Sequence, residues 1–378
     1  MTDAVVLVVH CVDTEGPLGG NARRWPDGSA EFMDNWDEIL ETLRELTGEE
    51  SRRIHADSFG DPYRFNWFIM DFTGFRTNPK NRIAQYHNTW DQITSLPVAL
   101  DGLYWHYHVP PASGAGDEWS DTWLSSNECN VTLARRLLER RAFPAAFRAG
   151  GTIEDEAASR WLEQVIPIDF SNRVSERSTA GADLYSFNWH GAPELWGSYH
   201  PKLGDPMDKG SLRRFVYRSI DLRSRYNELM PEHVNACFEE VAEYGEPRVL
   251  SYFSHDNRDM RQETYHALEL LRRAHERTGV PWVSCTAVEA HARYNGLEVS
   301  PLKLLAKRKR EGFVISASSV PFQSIPFAAA KLHDGCFVRL YPKPIGPTEW
   351  RVAIAPSVVE ELGVAATTMA GHTAVAFT

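Results

Sequence analysis

The sequence predicts an α/β protein, a closed but irregular β/α barrel followed by a small β-rich C-terminal domain. Apolar runs of strand length alternate with helical segments over most of the first three quarters of the chain, and repeated strand–helix units favour a parallel sheet. About seven or eight such strands suffice to close a barrel, with an open doubly wound sheet as the alternative. Past residue 297 the sequence changes to short β-like runs separated by glycine, proline and charged residues.

The predicted strands are short apolar runs, several of which end in polar residues. The first is rich in valine, the second reads FNWFIMD, and the third alternates aromatic residues with histidines. In chain order the seven strands are Ala4–Val12, Phe65–Asp71, Gly102–Val109, Ala145–Ala149, 166–171, 248–256 and 281–285.

The predicted helices place apolar residues at the spacing of one helix face. In the first, Trp36, Ile39, Leu40 and Leu43 follow this spacing, with acidic residues at its start, where the helix dipole favours them. The six predicted helices are Asp34–Leu46, Arg82–Thr94, Val131–Arg141, Asp155–Val165, Glu232–Tyr244 and Gln262–Arg277.

Residues 172–212 interrupt this alternation. They are dense in aromatic residues, glycine and proline, without a clear period. A loop of this length in a compact domain is usually functional or disordered, and its aromatic content argues against disorder. We therefore expect it to form an ordered wall over the active face of a catalytic domain spanning residues 1–297, with the β-rich domain over 298–378.

The composition restricts the class of partner. The 378 residues carry a net charge of −11, which is not expected of a nucleic-acid-binding protein. No stretch approaches the length of a membrane span, and no signal peptide is recognisable at the start. Five scattered cysteines without a CxxC motif indicate reduced thiols. We expect a cytoplasmic protein that binds neither nucleic acid nor a membrane, and the sequence leaves a homo-oligomer open.

Polar residues at the strand ends suggest a metal site. Catalytic groups of β/α barrels gather where strands end. His106 and His108 are two residues apart on one strand, so both side chains face the same side, and the first strand ends with Asp13 and Glu15 nearby. Two histidines and a carboxylate suit a divalent ion such as Zn²⁺. Two ordinary histidines on a half-exposed strand would look the same.

Five segments resemble, in order, the five motifs of the polysaccharide deacetylase superfamily (NodB-homology, carbohydrate esterase family 4-like). They are VDTEGP, GLYWHYHVP, FRAGG, IDFS and LSYFSHD. The resemblance covers about residues 4–290. It implies a distorted (β/α)7-type barrel and a hydrolase that uses one divalent metal ion to remove acyl groups, typically N-acetyl groups on sugars.

The resemblance also implies roles for the first two motifs. Asp13 would be the general base, and Glu15, His106 and His108 would bind the metal. The family has two adjacent aspartates in its first motif and spaces its histidines H-x-x-x-H, which here would place Tyr104 at the first histidine. Either His106 substitutes through an H-x-H arrangement, or the metal is weak or absent.

The later motifs imply that Arg148 orients the base, that Asp169 tunes the general acid and that His255 is this acid. A carboxylate such as Asp169 or Asp256 beside His255 would raise the pKa of the imidazole. Aromatic residues are expected as platforms for a sugar face, namely Trp105, Tyr107, Trp189 and Trp196.

Together these features favour a metal-dependent deacetylase acting on an amino sugar or a related small metabolite. Two alternatives stay open. A metal-dependent glycosidase would need a carboxylate pair, for which Asp13 and Asp169 are available. A non-catalytic carbohydrate-binding relative would have lost the metal.

Overall fold

The structure is a computed structural model that describes residues 4–17, 32–33, 35–70, 82–109, 128–174, 189, 191–223 and 228–378. Its strands are β1 Val6–Thr14, β2 Phe65–Met70, β3 Gly102–Tyr107, β4 Ala146–Ala149, β5 Ile168–Asn172, β6 Ser198–Tyr199, β7 Pro201–Lys202, β8 Asp205–Lys209, β9 Phe215–Arg218, β10 Ile220–Asp221, β11 Arg248–His255, β12 Trp282–Ser284, β13 Leu304–Lys309, β14 Gly312–Ala317, β15 Phe327–Leu332, β16 Phe337–Leu340, β17 Lys343–Gly346, β18 Glu349–Val352, β19 Val359–Thr367 and β20 Thr373–Phe377. Its helices are α1 Trp36–Thr47, α2 Glu49–Ile54, α3 Arg82–Thr94, α4 Glu128–Arg140, α5 Glu156–Val165, α6 Pro231–Tyr244, α7 Met260–Thr278 and α8 Ala287–Tyr294.

The main sheet is mostly parallel and curls into a half-barrel. Its strand order is β10-β11-β1-β2-β3-β4-β5-β9-β6, with β12 also pairing with β1. Every pair in it is parallel except β6 with β9. Strands β1 and β2 are buried along their whole length, as expected for a parallel sheet covered on both faces.

The predicted closed barrel, including its distorted (β/α)7 form, is wrong. Within the described ranges, no ladder joins the two ends of the sheet, β10 and β6. Both end strands are only two residues long, and β6 runs antiparallel to its neighbour. Two strands of two residues offer few backbone groups for pairing, and β6 runs in the opposite direction to the other strands. They therefore cannot continue a parallel ladder around a barrel.

The segment predicted as a loop over residues 172–212 contains short strands. Strands β6, β7 and β8 lie in it, and β7 pairs with β8 as a small hairpin. Of the expected wall over the active face, residues 175–188 and 190 lie outside the described residues, and the wall stays a prediction.

The C-terminal region consists of two antiparallel sheets, with strand orders β13-β14-β18-β17 and β16-β15-β19-β20. The second sheet packs against α4. Phe327 of β15 and Ala365 of β19 share one apolar cluster with Leu133 and Leu137 of α4 and with Phe147 of β4. The predicted domain boundary near residue 298 stays a prediction, and across it the two parts share a core.

Candidate metal centre

The register of the parallel sheet brings the motif residues together. Asp13 in β1 pairs with His255 in β11, and His106 in β3 pairs with Arg148 in β4. Glu15 follows β1 directly. Because the carboxyl ends of parallel strands meet at one edge of a sheet, side chains from four strands converge there.

Glu15, His106 and His108 lie close enough to bind a metal ion, and all three are buried. The two imidazole Nε2 atoms are 3.1 Å apart, and Glu15 Oε1 lies 3.1 Å from Nε2 of His108 and 3.6 Å from Nε2 of His106. Ligand atoms about 2.0–2.1 Å from a tetrahedral zinc ion would be about 3.3–3.4 Å from one another. The three atoms therefore form a face of suitable size.

The histidines are oriented as metal ligands would be. The Nδ1–H of His106 donates to the carbonyl oxygen of Arg148 (3.1 Å), and since a carbonyl can only accept, the lone pair of Nε2 faces the other two ligands. The ring of His108 packs directly on Gly150, where an added Cβ would lie 2.3 Å from its Cγ. The hydroxyl of Tyr104 instead accepts from the backbone N–H of Val288. His106, not Tyr104, thus completes the cluster.

Asp13 is held as a carboxylate beside these ligands. Arg148 donates to both of its oxygens, from Nε at 2.6 Å and from Nη2 at 2.9 Å. Burial opposes ionisation of Asp13, but the charge of Arg148 and its two hydrogen bonds outweigh it and lower the pKa of Asp13 to about 2. The charge-assisted bidentate pair also fixes the direction in which the carboxylate points.

A cavity of about 130 Å³ connects these groups. Its lining residues are Asp13, Glu15, His106, Gly151, Thr152, Arg173, Asp221, Phe253 and His255. The Nε2 atom of His255 lies 4.0 Å from Oδ2 of Asp13, and its side chain is 25 % exposed. The buried Nδ1 of His255 has no hydrogen-bond partner among the described residues.

The expected rise in the pKa of His255 is wrong. Burial and the nearby Arg258 lower the pKa to about 4, against the opposing effect of Asp13, Glu15 and Asp221. The imidazole is therefore neutral near pH 7.

Asp169 does not tune His255. Its carboxylate accepts hydrogen bonds from Arg214 and from the backbone N–H of Ser171. Arg214, which is fully buried, also pairs with Glu154. Arg214 therefore holds Asp169 in a buried cluster of charged side chains, and Asp169 does not line the cavity.

The four predicted platform aromatics do not line the cavity in the described part of the chain. Trp105 and Tyr107 stack on each other with centroids 5.1 Å apart and face away from the histidines, because successive strand residues point to opposite faces. Trp189 donates from Nε1 to the carbonyl of Thr152, and Trp196 lies under the guanidinium of Arg218. All four rings are buried, so stacking on a substrate stays a prediction that would require exposing them.

Sequence reasoning missed two charged residues that line the cavity. Asp221 ends β10, and its carboxylate accepts from Arg258 at 3.0 Å. Arg173 follows β5 and lies 3.7 Å from Asp221. The signal that located the other groups, an acidic residue ending a short apolar run, is present in SIDL around Asp221, but a strand of two residues is too short to be recognised by its pattern.

No protein-family model matches the chain, and no curated protein matches it. Among the helices in the described ranges, none has both the length and the apolar character needed to cross a lipid bilayer.

Proposed function

We propose that this protein is a metal-dependent amide hydrolase of the deacetylase type, which removes an acyl group, with N-acetyl as the leading candidate, from an amino sugar or a related small metabolite. The observation that carries the proposal is the position of an arginine-bound carboxylate, Asp13, on the same cavity as a two-histidine, one-carboxylate metal site. The resemblance to the polysaccharide deacetylase superfamily supports it, because the matching motifs supply these residues.

Zinc is the metal we propose for this site. Two neutral imidazoles and one carboxylate, with room for a further ligand, are a donor set found in catalytic zinc sites. Such an ion would supply Lewis acidity, which polarises a carbonyl group and makes a water molecule acidic.

Asp13 is proposed to accept the proton of the attacking water. Its pKa of about 2 makes it a weak base, but it also makes the protonated carboxyl group a strong donor. The neutral His255, whose Nε2 lies 4.0 Å from Oδ2 of Asp13, can take up this proton and deliver it to the leaving nitrogen, which must be protonated as the C–N bond breaks. Because its pKa is low, His255 carries no extra proton before the reaction, and we propose that it passes the proton from Asp13 to the leaving nitrogen.

The turn Gly150–Thr152 follows β4, and Gly150 lies against the ring of His108. Gly151 and Thr152 line the cavity and both have a left-handed φ, of 61° and 56°. For a β-branched residue such as Thr152 this conformation is strained, and such strain clusters at functional sites. We propose that N–H groups of this turn bind the oxygen of the substrate carbonyl in the transition state.

The glycosidase alternative has less support, because Asp169 is paired with Arg214 and does not line the cavity. The test is to load the purified protein with Zn²⁺ and incubate it with N-acetylated amino sugars, nucleotide sugars and an aryl acetate, measuring acetate, free amine and reducing sugar. We expect an amide substrate to release acetate and amine in equal amounts. This release should be lost in Asp13→Asn and unchanged in Asp259→Asn, because the carboxylate of Asp259 caps α7 and does not line the cavity. Reducing sugar without acetate, or tight sugar binding without any product, would contradict the proposal.

A further inference from the structure

Asp256 makes contacts that the hydrolytic reaction does not use. It follows β11 and is fully buried. Its Oδ1 accepts from the backbone N–H of Glu15 at 2.8 Å, and Oδ2 accepts from the N–H of Gly16 at 3.0 Å. The neighbouring Asn257 donates from Nδ2 to the carbonyl oxygen of Gly16 at 3.3 Å. The two residues after β11 therefore bind two N–H groups and one carbonyl group of the turn that carries Glu15.

We propose that Asp256 is a positioning residue that holds Glu15 in place for the metal and so sets the metal affinity of the site. Glu15 lies beyond the last residue of β1, and within the described ranges it belongs to no strand ladder. Among the described residues, the carboxylate of Asp256 is the acceptor for its N–H. The inference rests on the metal site and not on the reaction proposed for it.

The turn needs such support because of its shape. Gly16 has a φ of 69°, and its Cα lies so close to Trp36 that an added Cβ would be 2.6 Å from the indole ring. The chain thus leaves β1 sharply at Gly16. Without the two hydrogen bonds to Asp256, this turn could relax by a few tenths of an ångström. A shift of that size is enough to take the carboxylate of Glu15 out of coordination distance.

Asp256 has no competing structural duty as a helix cap. The residue that caps α7 is Asp259, whose side chain accepts from the N–H of Arg261. Nor is Asp256 a ligand itself, since its oxygens face backbone N–H groups. Groups that orient a metal ligand in this way typically change metal affinity by about 10–100-fold when removed.

The test measures the Zn²⁺ dissociation constant of the full chain by competition with a chromophoric chelator. Asp256→Ala should weaken Zn²⁺ binding by about 10–100-fold. Asp256→Asn should weaken it less, because the amide keeps one acceptor but turns a donor toward Gly16. Asp259→Ala, the matched control, should bind as wild type.

A double-mutant cycle separates positioning from general destabilisation. If Asp256 acts through Glu15, then adding Asp256→Ala to Glu15→Ala should not weaken Zn²⁺ binding further. Equal losses in both backgrounds, or unchanged binding in Asp256→Ala, would overturn the proposal while leaving the metal site intact. If Asp256→Ala does not fold, Asp256→Asn takes its place in the same cycle. A wild-type protein that takes up no Zn²⁺ would refute the metal site and this inference with it.

Discussion

A single methyl group at Gly150 is expected to remove the metal. A Cβ at this position would lie 2.3 Å from Cγ, 2.4 Å from Cδ2 and 2.7 Å from Cα of His108. Carbon atoms in contact prefer about 3.5–4.0 Å. The imidazole of His108 would therefore have to move by about 1 Å or more, whereas metal–ligand distances tolerate about 0.2 Å.

The size of the effect follows from this displacement. Moving a ligand out of range should cost more than the loss of an outer hydrogen bond to a ligand, so we expect Zn²⁺ affinity to fall by more than about 100-fold in Gly150→Ala. Forcing a methyl group into a packed site also costs about 1–3 kcal/mol of unfolding free energy. The loss of metal should therefore exceed what the modest loss of stability explains.

The assay combines Zn²⁺ content by elemental analysis with urea unfolding of the metal-free protein. Gly346→Ala is the control, because a Cβ there meets nothing closer than 3.5 Å. Adding His108→Ala to Gly150→Ala should recover only part of the stability, since the ring contact disappears but the contact with the backbone Cα remains. Wild-type zinc content in Gly150→Ala would refute the reasoning.

Three further predictions test the site and its surroundings. Asp13→Asn should keep the metal and lower the rate by about 10²–10⁴-fold, whereas Glu15→Gln should lower the metal content; zinc analysis with the opposite pattern would reverse their roles. His255→Ala should lose a similar factor on an amide substrate but little on an aryl acetate, whose leaving group needs no proton, and equal losses would mean that His255 is not the donor. Burial lowers the pKa of His10 from 6.5 to about 3, so below pH 6.5 the unfolded chain takes up a proton that the native protein does not. The free energy of unfolding should therefore fall by about 2 kcal/mol between pH 6.5 and 5 and further toward pH 3. Urea unfolding at several pH values should show a smaller fall in His10→Gln. An equal fall in the variant would contradict the prediction.

The residues of the metal centre were predictable because they depend on local pattern. His106 and His108 share a side by strand periodicity alone, and Asp13 and Glu15 follow a long apolar run. The same periodicity predicts that Trp105 and Tyr107 face away from the histidines, although their aromatic character suggested a sugar platform. Periodicity was the better guide because it is a property of the backbone.

Long-range partners were beyond the reach of the sequence. Asp169 is captured by Arg214, which is 45 residues away, and no local pattern indicates which arginine will reach a given carboxylate. Closure of the sheet was unpredictable for a related reason. It depends on whether the two end strands can meet, and β6 and β10 are too short to show a pattern at all. The pKa of His255 likewise depends on burial and on Arg258, which appear only once the chain has folded.

The apolar cluster shared by α4 and the C-terminal sheet has a consequence for how the chain can be divided. Phe327 and Ala365 pack with Leu137 and with Phe147 of β4, one residue before the arginine that holds Asp13. A chain truncated at residue 297 would lose part of its hydrophobic core and expose an apolar surface prone to aggregation. Heat should consequently unfold the two regions in one calorimetric transition, and replacing the sheet that contacts α4 would require new apolar partners for Leu133 and Leu137.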